Sequence, residues 1–141
     1  MVIIYSSDKI RGGILTKVLN REQIDTSLIN TIFALRDSLQ KHIPKLIIID
    51  IKNSLSNEIT TLKNLAYSLK ESFIIILGES STSTSFFNDI AAQCLDNCVS
   101  ISDPLAPDMI VSKIKEAFSS KRKNTQSNNL EKNLKEFLRL I

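Results

Sequence analysis

Pro44-Lys45-Leu46-Ile47-Ile48-Ile49-Asp50-Ile51 is the stretch that decides the fold. Four aliphatic residues in a row, without polar alternation, are the pattern of a strand covered on both faces, as in a parallel sheet flanked by helices. Val2 to Tyr5 and Phe73 to Leu77 repeat the pattern, and Cys98 to Ile101 is a weaker fourth run. Between these runs the apolar residues fall at helical spacing: Ile10, Ile14, Leu15, Val18 and Leu19; then Ile32, Leu35 and Leu39; then Ile59, Leu62, Leu65, Ala66 and Leu69. Phe86, Phe87, Ile90 and Ala91 continue the series, and Met109, Ile110, Ile114, Ala117 and Phe118 close it. Strand and helix patterns that alternate imply βαβ units. A further strand around Ile24 to Ile29 follows from topology alone, because Asp25, Thr26, Ser27 and Asn30 suit a loop equally well. The result is an α/β domain over residues 1–118 with five strands and five helices. Its count fits the flavodoxin-like doubly wound parallel sheet, order 2-1-3-4-5, better than a six-stranded dinucleotide-binding fold.

The chain of 141 residues, 43% hydrophobic, has room for one substantial core and no second full domain. Its apolar runs are far shorter than the roughly 20 residues of a membrane span. The sequence opens directly on an apolar run without the flanks of an export signal, so the cytoplasm is the expected compartment. The three glycines, Gly12, Gly13 and Gly78, form neither of the common phosphate-cradling patterns. The net charge of +3 is too small to indicate nucleic-acid binding, and any such contact is expected only through an output domain beyond this sequence. Cys94 and Cys98 lack partners at metal-ligand spacing and read as packed thiols. His42, the only histidine, falls near the end of the second helix, where a positive charge is favoured without any chemistry.

Residues 119–129, SSKRKNTQSNN, have no apolar side chain and read as a linker, with Lys121-Arg122-Lys123 as solvated charge. Beyond it, Leu130, Leu134, Phe137 and Ile141 repeat at spacings of four, three and four. They predict a short amphipathic C-terminal helix over 130–141, expected to mediate self-association or to continue into a dimerising linker, with folding back on its own domain as the alternative.

In an open parallel sheet the functional crevice lies at the carboxyl ends of the strands. Here those ends read Tyr5-Ser6-Ser7-Asp8, Ile49-Asp50-Ile51, Leu77-Gly78-Glu79 and Ile101-Ser102-Asp103-Pro104. With Pro44 to Ile51 and Ser102-Asp103-Pro104-Leu105-Ala106-Pro107-Asp108-Met109, the chain resembles the receiver domain of two-component response regulators over about residues 1 to 118. The resemblance implies that Asp50 sits at the phosphoacceptor position and that the bond before Pro104 is cis. It also implies that the chemistry has been lost. An acyl phosphate needs a divalent cation, a lysine and a hydroxyl to offset its charge. The family's acidic pair corresponds to Ser6 and Ser7, its lysine to Asp103, its Thr or Ser to Gly78, and its aromatic switch to Ser100. Asp8 reads as a helix cap before it reads as a metal ligand. Ser80 or Ser81 could supply a hydroxyl, but ESSTSTS reads as an unstructured polar loop.

These readings point to a degenerate receiver that is not an enzyme, needs no cofactor and acts through protein contacts. A homodimer or another regulatory protein is the expected partner, and the fold would be the N-terminal part of a transcription regulator. Family resemblance places the contact face at about residues 84 to 118. The alternatives are a phosphotransfer-competent receiver that uses Asp50 with a displaced Mg²⁺ site built from Asp8, Glu79 or Asp103, and a small-molecule sensor that uses the emptied crevice beside Ser6, Ser7 and Asp103.

Overall fold

The computed structural model describes residues 1–92 and 97–118. Along the chain run β1 (Val2–Ser6), α1 (Lys9–Arg21), β2 (Thr26–Ile29), α2 (Ile32–Lys41), β3 (Leu46–Asp50), α3 (Ser56–Tyr67), β4 (Phe73–Gly78), α4 (Ser80–Ala91) and β5 (Cys98–Ser102). A last helix, α5, spans 107–118. All strand pairs are parallel and the order is β2-β1-β3-β4-β5. The strand inferred from topology alone is real, although it covers only its last four residues; Thr26 and Ser27 pair with Val2 and Ile3 at the sheet edge. The linker 119–129, the helix expected over 130–141 and Cys94 lie outside the described residues.

The unbroken aliphatic strands serve two cores at once. Ile3, Tyr5, Ile47, Ile49, Ile74 and Ile76 point to one side, where Leu35, Leu39, Leu62, Ala66, Phe86 and Ile90 of α2, α3 and α4 cover them. Val2, Ile4, Leu46, Ile48, Ile75 and Leu77 point to the other, under Leu15 and Leu19 of α1 and Ile110 and Ile114 of α5. Successive side chains leave opposite faces of a strand, so a sheet sandwiched between helices requires apolar residues at every position.

Two sequence expectations change. The stretch Glu79 to Ser85 is no loop: Glu79 caps α4, its carbonyl accepts the Ser83 N–H at 2.8 Å, and Ser80 to Ser85 form the first turns. Ser83, Phe86 and Ile90 share the buried face. In α1 the buried face is shifted. Leu15 and Leu19 are inside as expected, but Ile10 and Ile14 are exposed and Arg11 and Gly12 take the inner positions. Gly12 packs closely there, since a Cβ would meet Leu28 Cδ1 at 2.8 Å and the leucine tip would have to move.

Candidate functional site

The inward turn of Arg11 builds the site. Asp8 caps α1, accepting the Ile10 and Arg11 N–H groups at 3.0 and 3.1 Å, so its carboxylate serves the helix, as its cap reading expected. Three residues past the cap, the Arg11 side chain runs beneath the carboxyl ends of β1, β3 and β5. Its Nε donates to Asp50 Oδ2 at 2.8 Å, and its Nη2 donates to Asp50 Oδ1 at 3.1 Å and to Asp103 Oδ1 at 3.0 Å. Lys52 Nζ lies 3.4 Å from Asp103 Oδ2. Two carboxylates and two cations thus form a charge-balanced group, in which Asp103 Oδ2 meets Lys52 without a hydrogen bond.

Asp50 is fully buried. Besides Arg11, Oδ1 accepts the Lys52 backbone N–H at 3.2 Å, and Oδ2 lies 2.8 Å from the Ser6 hydroxyl, whose proton is shared with the Asp8 carbonyl at 3.0 Å. A carboxylate has about four lone-pair sites, and all four are taken. Burial alone would lower the pKa of Arg11, but the hydrogen bonds and charge of Asp50, followed by those of Asp103, outweigh it and hold the guanidinium above its ordinary value.

The expected site residues therefore separate into two groups. Ser6, Asp50 and Asp103 meet around Arg11; Ser7 and Asp8 stand beside them at the start of α1, and Asp103 N–H donates to the Gly78 carbonyl at 2.9 Å. Gly78 occupies a position with no room for a hydroxyl side chain, because a Cβ there would meet Ile51 Cγ1 at 2.9 Å. The Ser100 hydroxyl is enclosed without a hydrogen-bond partner, and the Asp103-Pro104 bond is cis as the resemblance implied. His42 ends α2 through its backbone N–H to the Ser38 carbonyl. Burial pushes the Cys98 thiol up to about 12, which leaves it a packed, protonated side chain.

A divalent cation does not fit these residues. Ser6 and Ser7 bring no charge, the carboxylate of Asp50 already carries a guanidinium, and among the described residues no three His, Cys, Asp or Glu side chains converge as ligands.

Arg11 is the residue of the candidate site that the sequence reading missed. A signal was present: a basic residue in the first turn of a helix opposes the macrodipole, so an arginine there calls for a carboxylate outside the helix. Asp103 supplies half of the answer. Arg11, on α1, and Asp103, after β5, thus pair across the crevice at 3.0 Å.

Comparison with known proteins rests on structure, since no family model and no curated protein matches the sequence. NtrX from Brucella abortus in its complex with ADP superposes with a TM-score of 0.69 at 13% identity, over 92% of this chain and 28% of that one. The chain has the receiver fold. The receiver domain of the TMAO respiratory system response regulator TorR agrees, with a TM-score of 0.65 and 19% identity over 84% of this chain and 97% of that domain. So does the beryllofluoride-activated NtrC4 receiver domain dimer, with a TM-score of 0.64 and 12% identity over 84% and 96%. The receiver fold here thus corresponds to nearly the whole of isolated receiver domains, and the chain spans less than a third of the full NtrX chain. No helix among the described residues is long and apolar enough to cross a membrane.

Proposed function

We propose that this receiver fold is an atypical, phosphorylation-independent signalling module of the cytoplasm that regulates by protein contact. The observation that carries this reading is the guanidinium of Arg11 on Asp50: every acceptor site of the carboxylate is occupied and the side chain is closed to solvent. A nucleophile needs a free lone pair and a path for the incoming group. Asp50 has neither, and Asp103 would oppose the added phosphoryl charge where a lysine would favour it. The module is not an enzyme in this reading and takes no cofactor. Its partner is a second copy or another regulatory protein, met through residues 84 to 118, and it forms the N-terminal part of a transcription regulator whose output domain supplies any nucleic-acid contact. A solved receiver dimer among the structural neighbours, and a full-length regulator that contains the same fold, support the type of assembly.

Titration with Mg²⁺ and beryllofluoride, followed by amide NMR, tests the reading. No saturable shift is expected at millimolar Mg²⁺. Shifts centred on Asp50, or a mass increase of one phosphoryl group after acetyl phosphate treatment, would refute it.

A further inference from the structure

Four large apolar side chains stand in solvent at one end of the fold: Ile10 is 77% exposed, Phe33 82%, Leu55 64% and Met109 52%. Ile10 and Phe33 are second residues of α1 and α2, Leu55 caps α3, and Met109 is third in α5. With all strands parallel, every helix starts at the carboxyl edge of the sheet, so topology gathers the four around the edge that Arg11 closes.

The same edge is acidic. Arg11 and Lys52 are committed to Asp50 and Asp103, which leaves Asp8, Glu58, Glu79 and Asp108 in the helix-start segments against Lys9 alone, a balance of −3. Residues 119–141 have the opposite character, with six Lys or Arg against two Glu, a balance of +4, and the apolar series Leu130, Leu134, Phe137 and Ile141. The opposite edge exposes Met1, Ile43 and Phe118, but its loops carry no net negative charge: Lys41, Lys45, Lys70 and the α-amino group stand against Glu22, Asp25, Glu71 and, by sequence, Asp96.

We propose that residues 130–141 dock on the apolar, acidic collar of their own chain. Chain length permits it. Twelve residues of α5 carry the chain about 18 Å back from the carboxyl edge. The eleven residues 119–129 have a root-mean-square reach of about 18 Å as a flexible chain. A tether whose reach matches its span gives an effective concentration in the millimolar range, which favours docking within one chain over pairing of two copies at micromolar protein. The apolar stripe expected to join two chains then has a partner within its own. This inference stands apart from the phosphorylation-independent reading, because it rests on the rim of the crevice and not on Asp50.

The experiment uses the full chain with methyl-labelled Ile, Leu and Met. In L134D/F137D, the methyl resonances of Ile10, Leu55 and Met109 shift while those of Met1 and Ile43 stay in place. In E79K/D108K, with the tail intact, the same three resonances move in the same direction, and trypsin cleavage after Lys132 and Lys135 accelerates several-fold. Shifts at Met1 and Ile43 instead, or no shift anywhere, would overturn the proposal. So would a dimer of the full chain at tens of micromolar that L134D/F137D converts to monomer, since the occupant would then come from a second copy.

Discussion

Replacing Arg11 with alanine should be among the most damaging single changes this domain can suffer. The substitution leaves Asp50 buried with only the Ser6 hydroxyl and the Lys52 N–H, and leaves Asp103 with Lys52 at 3.4 Å. Breaking a buried pair by removing one partner costs about 3–5 kcal/mol. At roughly 2.1 cal/mol/K of unfolding entropy per residue, a domain of this size loses about 4 °C of Tm per kcal/mol, so a fall of about 12–20 °C is expected. Urea unfolding at pH 7 measures the same loss as a displaced midpoint with unchanged slope. The diagnostic comparison is D50N alone and R11A/D50N. Once the uncompensated carboxylate is gone, the double variant should recover at least about 2 kcal/mol relative to the sum of the single changes. A Tm within about 4 °C of the parent for R11A, or strict additivity in the cycle, would show that the charge group contributes little and that Asp50 is accommodated in some other way.

Gly78→Ser should cost about 1–3 kcal/mol, since its Cβ would meet Ile51 Cγ1 at 2.9 Å, and thermal denaturation of the purified variant measures it. Tyr5 is raised to about 12 by burial and then by the charge of Glu58, so absorbance titration of the native protein should show a phenol that ionises about two units above an ordinary tyrosine. Because its folded pKa is the higher one, its contribution to stability is fully present below about pH 10. Up to about 2–3 kcal/mol is lost as pH rises from 10 through 12, which urea midpoints across that window detect. In a C94S background, Cys98 should stay unmodified by a water-soluble disulfide reagent for as long as the fold persists and react fully in denaturant; rapid native-state labelling would contradict its burial.

The sheet was legible because apolar runs without alternation leave strands few alternatives; Leu46 to Ile49 could only be covered on both faces. The edge strand Thr26 to Ile29 was weak for the converse reason, since it offers only one apolar residue to each core, Leu28 and Ile29. Composition also concealed the start of α4, since a run of serines and threonines reads as a loop unless one of them, Ser83, is known to face the sheet. The site was legible in its losses but not in its replacement. Periodicity placed Ile10 and Ile14 on the inner face of α1 because it weighs hydrophobicity alone. The structure gives that face to Arg11, whose burial is favourable only with Asp50 and Asp103, residues 39 and 92 positions further along the chain. Such a compensation has no local signature beyond a cation in the wrong turn of a helix.

The interdependence of Arg11, Asp50 and Asp103 also constrains how this sequence can drift. Removing Arg11 alone strands the Asp50 carboxylate in a closed interior, at a cost of several kcal/mol against the 5–15 kcal/mol that typically separates folded from unfolded protein, and removing Asp50 alone leaves the buried guanidinium with Asp103 only. Variants that change Arg11 or Asp50 singly are therefore less stable than the parent, and a larger side chain at Gly78, held small by Ile51, carries a cost of its own. The group works as a ratchet: with the arginine turned inward, a substitution at Asp50 is tolerated best together with one at Arg11.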